Sequence, residues 1–254
     1  MVKYILLTCF IFGYCSALPK IGTRNDDRIV GGDIAKEGSA PYMASLVATP
    51  LGSHFCGASI VNERWILTAA HCAKMFSHHF VKVVVGTNHL FEEDGQAYFA
   101  EEIIPHENYT ATGIHDHDIA LIKVSENIVF NDKVQPIKPL KDYIKGGEEL
   151  KTTGWGLMDS NNIIPPNDLQ ELTVKALSNE ECTNLSDFTP TTQLCAFRNK
   201  GQGICMGDSG SPLVYNNQQV GVSSFILNDC GAGLPDFYTR VSLYYTWIEN
   251  HTQL

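Results

Sequence analysis

Ser209 stands in Cys205-Met206-Gly207-Asp208-Ser209-Gly210-Ser211-Pro212, where glycines at 207 and 210 suit a tight, exposed turn that would present the hydroxyl to a substrate. A serine hydroxyl is a poor nucleophile at neutral pH and needs a base beside it, itself held by a third group. Leu67-Thr68-Ala69-Ala70-His71-Cys72 offers the base, a histidine delivered by a run of small residues next to a cysteine that would pin it. His115-Asp116-His117-Asp118-Ile119-Ala120-Leu121 offers the third group. Asp118 enters an apolar run, and burial there would leave its carboxylate in need of a donor such as an imidazole N–H. Asp116 competes for the same role but reads as a solvated loop carboxylate.

Three groups this far apart in sequence need rigid elements to bring them together. Short apolar runs recur between turn-formers: Tyr42 to Val47, Trp65 to Leu67, Val81 to Val85, Ile119 to Val124, Lys151 to Trp155, Leu169 to Ala176, Pro212 to Tyr215, Val220 to Phe225 and Phe237 to Val241. Many are rich in Val, Ile and Thr and too short for helices, which predicts an all-β, mainly antiparallel fold. The tail is the exception. Leu243, Trp247 and Ile248 have the spacing of a helix docking one face over Leu243 to Asn250. Met158 to Asn167 reads as an exposed loop and a nicking site.

At 254 residues, 44% hydrophobic and 18% charged, the chain has ample material for a core. Its formal net charge of −10, with no basic patch, argues against a nucleic-acid partner. Met-Val-Lys, an apolar run from Tyr4 to Tyr14 and the small residues to Ala17 form a secretory signal pattern over 1–17, too short to span a membrane. A polar stretch, 18–28, follows and ends at Arg28, just before Ile29-Val30-Gly31-Gly32; it reads as a pro-segment. Of the eight cysteines, six lie outside the signal: Cys56, Cys72, Cys182, Cys195, Cys205 and Cys230. In an oxidising compartment they imply three disulfides whose pairing the spacing leaves open, and their single placement argues against zinc. His54, His78, His79, His89, His106 and His251 read as surface residues, so no metal or other cofactor is expected.

The sequence resembles the chymotrypsin-family serine proteases, over essentially all of 29–254. The matching motifs are Ile29-Val30-Gly31-Gly32, Thr68-Ala69-Ala70-His71-Cys72, Asp118-Ile119-Ala120-Leu121, Thr153-Gly154-Trp155-Gly156 and the Ser209 turn, in that order. The resemblance implies two six-stranded antiparallel β-barrels with a C-terminal helix, and an active site between the barrels. It selects Asp118 over Asp116, because only Asp118 directly precedes the apolar strand. His71 would then be general base and acid, Asp118 its orienting partner, and Ser209 the nucleophile, with the N–H groups of Gly207 and Ser209 as oxyanion hole; this mechanism is taken over with the resemblance.

The same resemblance implies that cutting after Arg28 frees an ammonium on Ile29, which turns inward to pair with Asp208 and sets the catalytic turn. It implies the bridges Cys56–Cys72, Cys182–Cys195 and Cys205–Cys230. It lines the specificity pocket with Gly203, Ser224, Phe225, Ile226 and Asp236. Gly203 stands where trypsin-like enzymes carry aspartate, and Ile226 would narrow the neck. Cleavage after apolar residues is therefore expected, in a pattern similar to chymotrypsin-like and collagenolytic digestive proteases of arthropods. Such an enzyme would not cut well after its own Arg28, so a separate trypsin-like protease is expected to activate it. Other expected partners are protein or peptide substrates and protein inhibitors, with the enzyme a monomer outside the cell and no membrane partner. The loop 87–94 lacks the glutamate that leads the family's calcium loop. Asn108, Asn184 and Asn250 head glycosylation sequons. The rival readings are a non-catalytic binding homologue, which would ordinarily lack one of the three groups, and a narrow regulatory protease, which would ordinarily carry extra amino-terminal modules.

Overall fold

The computed structural model describes residues 29–111 and 115–254, so the signal and pro-segment expected over 1–28, Arg28 included, lie outside the described residues. The strands are β1 (Asp33–Ile34), β2 (Met43–Ala48), β3 (Ser53–Ile60), β4 (Trp65–Thr68), β5 (Val81–Val85), β6 (Gln96–Pro105) and β7 (Ala120–Val124), then β8 (Lys138–Pro139), β9 (Glu149–Gly154), β10 (Gln170–Ala176), β11 (Gln193–Phe197), β12 (Pro212–Tyr215), β13 (Gln218–Ile226) and β14 (Asp236–Arg240). Among the described residues three α-helices join them: α1 (Ala70–Ala73), α2 (Asn179–Ser186) and α3 (Tyr245–Thr252).

Strands β2, β3, β4, β7, β6 and β5 close into one antiparallel barrel. Strands β9, β10, β11, β14, β13 and β12 close into a second, with β1 and β8 appended. Closure removes the unpaired edges on which a flat sheet would aggregate. Alternation sets what faces inward: in β5, Val81, Val83 and Val85 are buried while Lys82 and Val84 point outward. Leu46, Ile60, Ile66 and Leu121 fill the first barrel, and Leu150, Leu172, Leu194 and Leu213 the second.

Between the barrels, Ser59 Oγ donates to Gln219 Oε1 at 2.6 Å and Thr239 Oγ1 to the Asp118 carbonyl at 2.6 Å. The chain's end then crosses back. Val241, Tyr244 and Ile248 are buried in the first barrel's core, which ties the two halves together from the rear. The expectation for Leu243 is corrected: it is 50% exposed. A 3₁₀ turn over Val241–Tyr244 precedes α3, and its three-residue repeat aims Val241 and Tyr244 inward instead. The six cysteines pair as Cys56–Cys72, Cys182–Cys195 and Cys205–Cys230.

Candidate active site

The turn after β4 is short because the small residues Ala69 and Ala70 follow the strand directly, and α1 is a single turn that carries His71 and Cys72. The Cys72 bridge to Cys56 fastens that turn to β3. Asp118 lies just before β7, which pairs with β4, so the two neighbouring strands bring residues 71 and 118 together. His71 Nδ1 lies 2.7 Å from Asp118 Oδ2, and the His71 backbone N–H donates to Oδ1 at 2.8 Å.

Asp118 is fully buried and Ser224 Oγ also donates to its Oδ2, at 2.5 Å. Burial alone would raise its pKa; the His71 hydrogen bond and charge, with the Ser224 hydroxyl, outweigh that and hold the carboxyl below its usual value. An ionised Asp118 keeps the His71 proton on Nδ1 and leaves the Nε2 lone pair free to accept a proton. Asp116 goes elsewhere, its Oδ1 accepting from Thr191 Oγ1 at 3.1 Å and Thr192 Oγ1 at 2.9 Å.

The segment 205–211 supplies the third group. Gly57 N–H donates to the Ser209 carbonyl at 2.8 Å and Gly210 N–H to the Ser223 carbonyl at 2.8 Å. A Cβ on Gly210, at φ +82°, would lie 2.2 Å from Thr68 Oγ1; only a residue without one lets the turn sit this close to the strand that delivers His71. Ser209 is half-buried, and among the described residues its hydroxyl makes no hydrogen bond, to His71 or to any other group. His71 Nε2 instead has Cys72 Sγ at 3.5 Å. Such contacts are commonly long in free enzymes and tighten when substrate arrives.

Among the described residues neither the Gly207 nor the Ser209 backbone N–H donates to protein. Gly207 adopts φ +97°, and its carbonyl accepts from His54 Nε2 at 3.0 Å while His54 Nδ1 lies 2.8 Å from Ser45 Oγ. That contradicts the surface reading of His54. Burial pushes its pKa down to about 4, which keeps it neutral, and it holds the peptide between Gly207 and Asp208. His106 is corrected likewise: it is buried, stacked on His117 at 5.1 Å and against Trp247. Nothing in the immediate sequence marks the half-buried His54 or the buried His106 as held in this way, because the partners come from other elements.

Asp208 points the opposite way from Ser209. It is buried, with Oδ1 accepting from Gly156 N–H at 2.8 Å and Oδ2 from Cys205 N–H at 2.9 Å. Among the described residues no side-chain cation pairs with it, and burial pushes its carboxyl up to about 7. Ile29 is fully buried in the second barrel's core. The Val30 carbonyl accepts from Gly203 N–H at 3.0 Å and the Gly31 carbonyl from Gln202 Nε2 at 2.8 Å, so the 29–32 segment is docked on the 201–203 loop.

Gly203 and Asp236 face one another across what would be the pocket floor. A Cβ at 203 would lie 2.6 Å from Asp236 Oδ2. Asp236 Oδ2 accepts from Ile204 N–H at 2.9 Å, and burial pushes the carboxyl up to about 8. Ile204, which the sequence reading passed over, thus anchors Asp236. Phe225 stacks on Phe237 at 4.6 Å, edge-on to Phe188, and Ile226 packs half-buried on the second barrel's core.

Comparison with known proteins agrees with this arrangement. The family model described as Trypsin matches residues 29–248. The chain is 40% identical over 224 residues to chymotrypsin-2 of Vespa crabro, covering 88% of this chain and 99% of that one. It is 33% identical to trypsin I-P1 of Gallus gallus, over 98% of both chains. Among solved structures, neuropsin, a serine protease expressed in the limbic system of mouse brain, matches with a TM-score of 0.79 and 31% identity over 87% of this chain and 98% of that one. Two barrels, a histidine and a buried aspartate hydrogen-bonded between them and a whole-length match to named proteases agree: the chain belongs to the trypsin family and is a chymotrypsin-like serine endopeptidase.

Proposed function

We propose that the chain is a secreted precursor which, once cut after Arg28, hydrolyses peptide bonds that follow apolar residues of medium size. The bond between His71 Nδ1 and Asp118 Oδ2 carries the catalytic part of this reading. In it, His71 Nε2 takes the Ser209 proton as Oγ attacks the scissile carbonyl. The two unengaged N–H groups of Gly207 and Ser209 receive the oxyanion. The protonated imidazole, stabilised by Asp118, then passes its proton to the leaving amine. Water, activated by the same His71, hydrolyses the acyl-enzyme.

The pocket supports the specificity. With glycine at 203 no charge stands at the floor, and Asp236, pushed up to about 8, is largely neutral at pH 7 and gives a cationic side chain little attraction. Ile226 narrows the space for wide rings. The identity with hornet chymotrypsin-2 favours the same side. An enzyme of this preference leaves Arg28 to a separate trypsin-like protease. Asn108, Asn184 and Asn250 are all exposed, as glycan acceptors must be.

The test is a panel of peptide anilides differing only in the residue before the scissile bond, with chain trimmed by trypsin that is then removed. Leu, Met, Phe and Tyr are expected to be cut well ahead of Lys and Arg, and Ser209→Ala to lose activity by several orders of magnitude. A Lys or Arg optimum rejects the specificity, and full activity in Ser209→Ala rejects the mechanism.

A further inference from the structure

Beside the proposed catalytic groups stands a histidine the mechanism does not use. The His115 ring lies edge-on to that of His71, centroids 5.9 Å apart. One ligand-capable atom from each of His71, His115 and Asp118 lies within 4.8 Å of the other two. Each ring's second nitrogen has a partner of its own. His71 Nδ1 is held by Asp118 at 2.7 Å, and His115 Nδ1 lies 3.4 Å from the hydroxyl of buried Tyr109. An imidazole fixed through one nitrogen and open at the other is the arrangement of metal-ligating histidines, whose outer partner is a carboxylate, carbonyl or similar group. Nε2 of His115 has no hydrogen-bond partner among the described residues. Phe225, stacked at 5.8 Å, steadies the His115 ring further. Cys56 and Cys72, also close to His71, are joined in a disulfide and offer no thiolate.

We propose that His71 and His115 together capture a transition-metal cation, zinc foremost, through their Nε2 atoms, and that the captured ion reversibly switches the protease off. Two neutral imidazoles suit Zn²⁺ or Cu²⁺ and not Mg²⁺ or Ca²⁺, and waters would complete the tetrahedron. Asp118 already accepts from the His71 ring, the His71 backbone and Ser224, and so acts as the outer partner. Metal on Nε2 occupies the lone pair that must accept the Ser209 proton; no covalent bond changes, so a chelator restores the base.

This inference rests on the serine-protease reading for its consequence but not for its site, and the two are tested separately. Binding is measured by calorimetric titration of Zn²⁺ into untagged full chain carrying Ser209→Ala. One site is expected to be lost or weakened at least about tenfold in His115→Gln, and about tenfold in Tyr109→Phe, which keeps the ring but removes the outer hydroxyl. The adjacent rings of His78 and His79 make a second candidate, so His78→Gln/His79→Gln serves as control and is expected to keep the site. Inhibition is then measured on trypsin-trimmed chain, each variant normalised to its own metal-free rate: Zn²⁺ inhibits, chelator reverses it, and Mg²⁺ does nothing. Zinc binding that is absent, or unchanged in His115→Gln, overturns the site. Zinc binding through His115 without loss of rate overturns the switch. A metal-free chain with no peptidase activity overturns the protease reading instead, while the calorimetry still decides the metal site.

Discussion

In the proposed specificity pocket, Asp236 is the residue on which the choice of substrate would turn. It is buried, it has one backbone donor in Ile204, and Asp208 adds a like charge nearby, so its carboxyl titrates at about 8 and not in the ordinary carboxylate range. Below that pH it is mostly neutral, and above it the pocket floor gains a negative charge that a Lys or Arg side chain would neutralise. The ratio of kcat/KM for a Lys anilide to that for a Leu anilide is therefore expected to rise roughly tenfold between pH 7 and pH 9, following the ionised fraction. In Asp236→Asn the ratio is expected to be flat across that range. A ratio independent of pH in the unmodified enzyme sinks the assignment. Sequence placed Asp236 and Gly203 in the pocket through resemblance, but it could not supply the burial that sets the titration. The same limit explains His54 and His106: an imidazole's environment is decided by Ser45, Gly207 and Trp247, which local pattern does not reveal.

Strands were legible in proportion to how apolar they are. Val81 to Val85 and Pro212 to Tyr215 match β5 and β12 as read, while β3, β6 and β11 went unnoticed. In β6 an exposed Phe99 and a register shift between Ala100 and Glu102 break the alternation. In β3 the small residues Ser53, Gly57, Ala58 and Ser59 hide a strand that is small for a reason. A Cβ on Gly57 would lie 2.0 Å from Ser211 Oγ. The hydroxyl of Ser211 is buried and has no hydrogen-bond partner among the described residues, so it fills space at an unrecovered desolvation cost. Ser211→Ala is expected to raise stability by about 1 kcal/mol, because it removes an unsatisfied donor. Gly57→Ala is expected to cost about 1–3 kcal/mol through overpacking, and to lower activity as well, since Gly57 N–H holds the Ser209 carbonyl. Ser211→Gly should recover part of both losses in the double variant, a coupling readable from denaturation midpoints and anilide turnover. Additive effects would mean that the two residues do not share the space the geometry gives them.

Across the whole molecule, the link between the two ends of the proposed activation event is Asp208, which the resemblance singles out as the acceptor of the Ile29 ammonium but whose titration only the structure supplies. Its carboxyl in the uncut chain is pushed up to about 7 by burial, only partly offset by the N–H groups of Cys205 and Gly156. A carboxyl whose folded pKa exceeds its unfolded value near 4 holds its proton more tightly when folded. The uncut chain therefore loses stability from this group as pH rises from about 4 to about 7. If cutting after Arg28 delivers the Ile29 ammonium to this carboxylate, the folded pKa falls below the unfolded one and the sign reverses: the contribution is present above pH 4 and lost as pH falls through the new value. The difference in Tm between processed and uncut chain is thus expected to grow from pH 4 to pH 7 and then level off. In Asp208→Asn, which has no charge to pair, the difference should stay constant over the same interval. Calorimetric melting of Ser209→Ala preparations, which cannot digest themselves, reads it directly. A difference that does not change with pH, or one that persists in Asp208→Asn, would break the link between the new terminus and the turn that carries Ser209. The docking of 29–32 onto the 201–203 loop would then be packing alone.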